Sequence, residues 1–137
     1  MPPLQQLPVV VNYHPIIERF VLRHTSTVAC SIWKISDEET IFQRGNFFAL
    51  TAQEKQDITQ YFGRKKSGRN KHATVSQERF DFIVHRGVIF GESTIPFYFM
   101  ACFKSTRVYV ALFGDRSYLS LDKPVFRLKE EMTDEEN

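Results

Sequence analysis

The sequence has few of the residues that build reactive or cross-linked sites. Its 137 residues include two cysteines, four histidines and six glycines. The glycines never take the GxGxxG or GxxxxGK spacing that holds a phosphate, and the histidines lack the HExxH spacing of a zinc site. No uninterrupted apolar run is long enough for a membrane span. We therefore expect a soluble globular domain without a bound metal or cofactor.

Both cysteines, Cys30 and Cys102, lie in apolar stretches typical of β-strands. The N-terminus does not combine a basic start, an apolar run and a small-residue cleavage site, so we expect a cytoplasmic protein with reduced, buried thiols. A disulfide between the two is the alternative. Nucleophilic catalysis would need an exposed, electropositive thiol near a histidine. An enzyme that pairs His85 with such a thiol is thus the least favoured function.

Large apolar rings are plentiful, with 13 Phe, 5 Tyr and 1 Trp in a chain that is 42% hydrophobic and carries a net charge of +2. Burying each ring stabilises a fold by about 2 to 3 kcal/mol, so one core is sufficient at this length. We expect a flexible proline-containing arm over residues 1–11 and a single folded domain over 12–131. The acids near the C-terminus predict a frayed tail over 132–137, because a helix dipole disfavours negative charge there.

Local patterns in the first half predict a helix, a hairpin and a second helix. Apolar residues recur at helical spacing after Pro15, which suits a first helical turn, with Asn12 or His14 as the cap. Strand-forming residues over 28–35 and 40–43 flank an acidic turn and predict a hairpin. Thr51 and Glu54 have the spacing of a capping box, which predicts a helix from there to residue 62.

The second half reads as antiparallel strands followed by a last helix. Strand-like stretches cover 79–86, 95–104 and 107–113, with a short strand between the first two, and their short links do not allow parallel crossovers. The stretch 95–104 is apolar on both faces, which predicts a central strand with helices on each side. Asp122 and Pro124 open the last helix. The fold class is therefore α+β, with an antiparallel sheet between helices.

A basic segment, residues 64–72, contains five Lys or Arg and no acid. Clustered cations attract polyanions, yet the segment has no aromatic ring on which a base would stack, so we do not expect nucleic acid. Anionic phospholipid, in particular phosphoinositide, fits better, as does an acidic protein surface. The candidate residues are Lys65, Lys66, Arg69 and Lys71. The alternative is a solvated connection.

Three stretches together resemble the profilin family: TIFQRGNFFALTAQE (40–54), ERFDFIVHRG (78–87) and FMACFKSTRVYVALFGD (99–115). Phe42 stands where most profilins have Trp, while Thr51 and Glu54 match the start of the following helix. The proline-bearing arm and the basic segment are more like the divergent archaeal members. The resemblance implies a central antiparallel sheet with the N- and C-terminal helices on one side and shorter helices on the other.

The resemblance also implies a non-enzymatic, monomeric protein of the cytoskeleton that binds actin monomers and regulates their polymerisation, with a second affinity for phosphoinositides. Arg86 matches a basic actin contact of the family. Neighbouring positions carried over with it are Arg79, Tyr98, Arg116, Tyr118 and Lys123. Profilins also bind proline-rich peptides on aromatic rings, for which Tyr13, Trp33 and Phe42 are the candidates. Binding is expected to be weak, because Phe126 is the last helix's only aromatic residue.

A different class of function fits the same order of elements. Roadblock- and longin-type scaffold domains also place helices around an antiparallel sheet of this size, dimerise and recruit a small GTPase. Such a domain is the alternative to an actin-binding protein.

Overall fold

The computed structural model describes residues 11–45, 49–62, 72–93, 98–115 and 122–137. In these ranges, seven strands form one antiparallel sheet in the order β2-β1-β7-β6-β5-β4-β3. The strands are β1 (Thr27–Lys34), β2 (Thr40–Arg44), β3 (His72–Val75), β4 (Glu78–His85), β5 (Val88–Ser93), β6 (Phe99–Lys104) and β7 (Val108–Gly114). The helices are α1 (His14–Arg23), α2 (Ala52–Thr59) and α3 (Asp122–Glu136). In the described ranges, no helix has the length and apolar character of a membrane span.

Side chains along each strand alternate between the two faces of the sheet, so the core has two layers. On one face, α1 and α3 pack over residues such as Phe90, Ala101 and Leu112, which pair with one another across β5, β6 and β7. On the other face, α2 packs over Met100 and Phe113. β6 is the central strand and is buried on both faces, as the pattern over 95–104 predicts. The predicted helix-covered antiparallel sheet is confirmed.

The helix starts follow local signals. The Thr51 hydroxyl accepts from the Glu54 N–H at 3.1 Å, and the Glu54 carboxylate accepts from the Thr51 N–H at 2.9 Å, so the capping box is confirmed. α2 ends at Thr59 rather than at residue 62, because the chain turns there and places Tyr61 against β3, where its hydroxyl donates to the His72 carbonyl at 3.1 Å. In α1, Tyr13 occupies the cap position without a side-chain bond to the helix, and the side chain of the predicted candidate Asn12 accepts from the His14 N–H at 3.1 Å.

The frayed C-terminal tail is a wrong prediction, since α3 continues to Glu136. Met132 is fully buried, and only 4% of Glu136 is exposed. The Glu136 carboxylate accepts hydrogen bonds from the Tyr13 hydroxyl at 2.6 Å, the Ser105 hydroxyl at 2.8 Å and the Thr106 N–H at 3.0 Å. These charge-assisted bonds outweigh the unfavourable helix dipole.

β3 was not predicted from the sequence. It pairs with β4 through a turn in which Ser76 and Gln77 have φ values of +49° and +68°. Two consecutive left-handed residues join strands with the right twist, but Asn-Gly and Asp-Gly are the usual sequence signals for such a turn. Arg86 and Gly87, at φ +52° and +76°, form the corresponding turn between β4 and β5.

The two cysteines are free and buried, as predicted, with Cys30 in the core beneath α1 and α3 and Cys102 in the core beneath α2, so this fold does not join them in a disulfide. Burial away from water raises the pKa of both thiols. A raised pKa keeps the thiol protonated, and the protonated form is a poor nucleophile.

Candidate partner-binding surfaces

The outer strands β3 and β4 carry a set of exposed side chains on the side of the sheet that α1 and α3 cover elsewhere. Ile83 pairs with Phe90 and His85 with Val88, and both partners belong to the core beneath α3. The alternate residues Phe80 and Phe82 face α2. We call this surface the open sheet face; it consists of His72, Thr74, Arg79, Asp81, Ile83 and His85.

Ile83 is the apolar residue of this face, with 53% of its surface exposed. The surrounding side chains are polar or charged, and Arg79 pairs with Asp81 at 3.3 Å. An exposed β-branched residue on a rigid strand, with ionisable groups around it, is typical of a protein interface, in which an apolar centre has a polar rim. The open sheet face can therefore bind another protein surface.

Arg86 lies at one end of the open sheet face, exposed on the turn between β4 and β5. Its guanidinium carbon is 5.9 Å from the centre of the Phe126 ring. The same ring contacts His85 at 5.8 Å and Phe90 at 5.8 Å between centroids. Phe126 thus connects Arg86 to α3, and a cation held over an aromatic face in this way is partly ordered before any partner arrives.

The positions carried over from the resemblance fall in different places. Arg79 belongs to the open sheet face, Arg86 borders it, and Lys123 is exposed in the first turn of α3. Tyr98 is half-buried against the α2-side core, so it does not share a surface with Arg79. The other carried-over or basic candidates lie outside the described residues: Arg116, Tyr118, Lys65, Lys66, Arg69 and Lys71. Sequence reasoning missed Ile83 and His85, although their alternation with Phe80 and Phe82 was a readable signal.

A second surface lies where the start of α1 meets the turn between β1 and β2 and the turn between β6 and β7. It encloses a cavity of about 480 Å³, and we call it the terminal groove. Its apolar lining comes from Tyr13, Ile35, Ile41 and Val108, and its polar lining from Lys34, Ser36, Thr106 and Arg107. Burial and the neighbouring Glu136 carboxylate raise the pKa of Tyr13, so its hydroxyl stays protonated and donates to that carboxylate.

Trp33 cannot contribute to the terminal groove, so its assignment to a peptide-binding site is wrong. It is 0% exposed and faces the α2 side of the sheet, where its ring lies 5.6 Å from the Tyr109 ring and 5.7 Å from Lys55 Nζ. Phe42 is half-buried on the α1 side, 5.6 Å from the His14 ring, and does not line the cavity. Of the three aromatic candidates, Tyr13 alone lines the groove.

Groups of at least three His, Cys, Asp or Glu side chains able to hold a metal are absent from the ranges that the structure covers.

Comparison with solved structures identifies the fold. Mouse profilin IIa, solved in complex with a double repeat from the FH1 domain of mDia1, aligns with a TM-score of 0.67 and 15% identity over 90% of this chain and 98% of its own. LokiProfilin1, solved in complex with rabbit actin, aligns with a TM-score of 0.71 and 12% identity over 93% of this chain and 98% of its own. Rat profilin 2a aligns with a TM-score of 0.66 and 15% identity over 90% of this chain and 98% of its own. No protein-family model and no curated protein matches the chain. The chain has the profilin fold, as its sequence resemblance predicts.

Proposed function

We propose that this protein binds actin monomers through the open sheet face and thereby regulates actin polymerisation. The observation that carries the proposal is the exposed Ile83 at the centre of a polar sheet face, beside the ordered Arg86. The fold supports it as well, because LokiProfilin1, a protein of similar structure, was solved in complex with rabbit actin.

The energetics favour a protein partner for this face. Covering the exposed part of Ile83 contributes about 1 to 2 kcal/mol. Arg86 is already oriented by Phe126, so less side-chain entropy is lost when it contacts an acidic residue of the partner. Its guanidinium gives this end of the open sheet face a cationic group that would speed association with an acidic surface of actin.

The test compares two substitutions of an exposed apolar residue by aspartate. Ile83→Asp should abolish or strongly weaken actin binding, because it places an unpaired carboxylate in the interface. Leu22→Asp is the matched control, since Leu22 is 76% exposed on α1 and lies outside the open sheet face. The measurements are titration calorimetry and polymerisation of pyrene-labelled actin, with actin from the matching lineage. Equal actin binding by both variants and the parent would exclude this face.

The proposal includes weak binding of proline-rich peptides in the terminal groove. Apolar walls suit a preformed polyproline helix, whose binding costs little conformational entropy. Mouse profilin IIa, which has a similar structure, was solved in complex with a double repeat from the FH1 domain of mDia1. Ile41→Asp should weaken binding of a proline decamer measured by calorimetry, while Leu22→Asp should leave it unchanged. A decamer that binds Ile41→Asp as well as the parent would rule out the groove.

Phosphoinositide binding by the basic segment 64–72 and a cytoplasmic location complete the proposal, and both rest on the sequence. Replacing Lys65, Lys66, Arg69 and Lys71 by alanine should reduce co-sedimentation with phosphoinositide vesicles at low salt, because each cation near an anionic surface contributes about 1 kcal/mol. Unchanged co-sedimentation would remove lipid from the function of this segment.

A further inference from the structure

The terminal groove has two apolar side chains that remain exposed to solvent. Ile35 is 36% exposed and Ile41 is 43% exposed, and both lie at the hairpin of β1 and β2. The Tyr13 ring in the same lining is fixed, because its hydroxyl donates to the buried Glu136 carboxylate at 2.6 Å. Two exposed branched residues beside a fixed ring form a preformed apolar site, and covering that site with another apolar group is favourable.

The charged side chains of the terminal groove already have partners within the protein. Lys34 Nζ lies 3.3 Å from a carboxylate oxygen of Asp37 and 3.2 Å from one of Glu39. Arg107 donates to the Glu136 carbonyl at 3.4 Å. A bound segment therefore does not need to supply charge, and an uncharged segment enters the groove at the lowest desolvation cost.

α1 starts at the edge of this groove. Val11 packs against the core beneath α1 and α3, and Tyr13, two residues later, lines the groove. The Asn12 side chain accepts from the His14 N–H at 3.1 Å, which holds the backbone in place at this point. Residues 1–10, which we call the proline arm, lie outside the described residues, and the sequence attaches them directly to Val11. The proline arm is therefore tethered next to the groove.

The sequence of the proline arm, MPPLQQLPVV, has the composition that such a groove requires. It contains three prolines, which favour a polyproline II helix, and no charged side chain. This helix has three residues per turn, so Leu4, Leu7 and Val10 would lie on one edge of it. Gln5 and Gln6 belong to the other two edges. In this conformation the arm would present one apolar edge to the groove and its polar residues to solvent.

We propose that the proline arm occupies the terminal groove of its own molecule with this apolar edge, and that it competes there with proline-rich peptides. The inference rests on the peptide-binding part of the proposed function, because it assigns the regulation of the same groove. Pro3 is eight residues before Val11, and a polyproline II helix extends about 3.1 Å per residue, so about 25 Å of chain is available to fold back. A short tether gives the arm an effective concentration in the millimolar range, which is enough to compete with a weakly bound peptide.

The experiment places two carboxylates on different edges of the proline arm in the full chain. Leu4→Asp combined with Leu7→Asp puts both on the apolar edge and should release the arm, because an unpaired carboxylate is costly to bury. Gln5→Asp combined with Gln6→Asp is the matched control, since it adds the same charge at the polar positions between them. In calorimetry, the leucine variant should bind a proline decamer about threefold to tenfold more tightly than the parent, and the control should stay within about twofold of the parent.

The methyl NMR signals of Ile35 and Ile41 report on the proline arm without any added peptide. They should shift between the parent and the variant with Leu4→Asp and Leu7→Asp, while the signals of Ile83 on the open sheet face should not. Unchanged signals of Ile35 and Ile41 would overturn the proposal, even if the decamer binds the groove. Shifted signals with no decamer binding by any variant would support the docked arm and contradict the peptide-binding part of the proposed function.

The same signals distinguish an arm in its own groove from an arm exchanged between two copies. Docking within one molecule gives signals that do not depend on protein concentration, and sedimentation then shows a monomer. Signals that approach those of the leucine variant on dilution, together with a dimer in sedimentation, would assign the groove to the arm of a second copy and overturn the proposal. Retained thermal stability of both variants excludes misfolding as the cause of any change.

Discussion

Replacing Glu136 by alanine tests whether the end of α3 is held by its buried carboxylate. Three hydrogen bonds are lost, to Tyr13, Ser105 and Thr106. A hydrogen bond to a charged group contributes about 1.5 to 3 kcal/mol, but the groups released near the end of a helix regain part of this from water. We therefore expect the free energy of unfolding to fall by about 2 to 3 kcal/mol.

The matched control is Glu135→Ala, which removes the same charge from an exposed neighbour in the same helical turn. Its effect should be within about 0.5 kcal/mol of zero, because exposed substitutions away from specific contacts are nearly neutral. Urea denaturation gives the free energy of unfolding, and calorimetry should show Glu136→Ala melting roughly 8 °C lower than the control. Similar stability of the two variants would show that the bonds of Glu136 do not hold the helix.

Three further predictions concern single residues. The free energy of unfolding should fall as the pH rises above about 10, because tyrosines of the unfolded chain then ionise while the raised pKa of Tyr13 keeps it protonated in the folded state. Tyr13→Phe should make this fall less steep in urea titrations at alkaline pH. Part of the fall should remain, because burial also raises the pKa of Tyr109. Thr51→Ala should lower the free energy of unfolding by about 1 kcal/mol by removing the cap of α2, and an unchanged urea midpoint would contradict that role. Trp33→Phe should leave the affinity for a proline decamer within about twofold, because Trp33 faces the opposite side of the sheet from the terminal groove, and a large loss in calorimetry would contradict the assigned faces.

The open sheet face and the terminal groove both depend on how strands and helices end. Arg86 is presented by a two-residue turn with both residues at positive φ, and Phe126 of α3 then supports it. The terminal groove depends on the end of α3, because Glu136 positions Tyr13 and the turn before β7. Each surface thus uses residues distant in sequence.

The sequence by itself determined the local elements. The capping box of Thr51 and Glu54 is a contact between near neighbours, and Pro15 restricts only its own turn, so both signals can be read without a fold. The apolar character of both faces in the stretch 95–104 also identified the central strand. The strand-like stretch 79–86 and the glycine that follows it also predicted that Arg86 lies at the end of a strand.

Only the tertiary structure decided which side of the sheet each candidate faces and what the chain ends contact. Trp33 and Tyr98 are ordinary aromatic residues in sequence, but the register of the sheet places them on the α2 side, away from Tyr13 and Arg79. Glu136 reads as one acid among several, and its burial depends on Tyr13, which is 123 positions away. Such partners are joined by packing between layers, and local propensities carry no information about contacts at that separation.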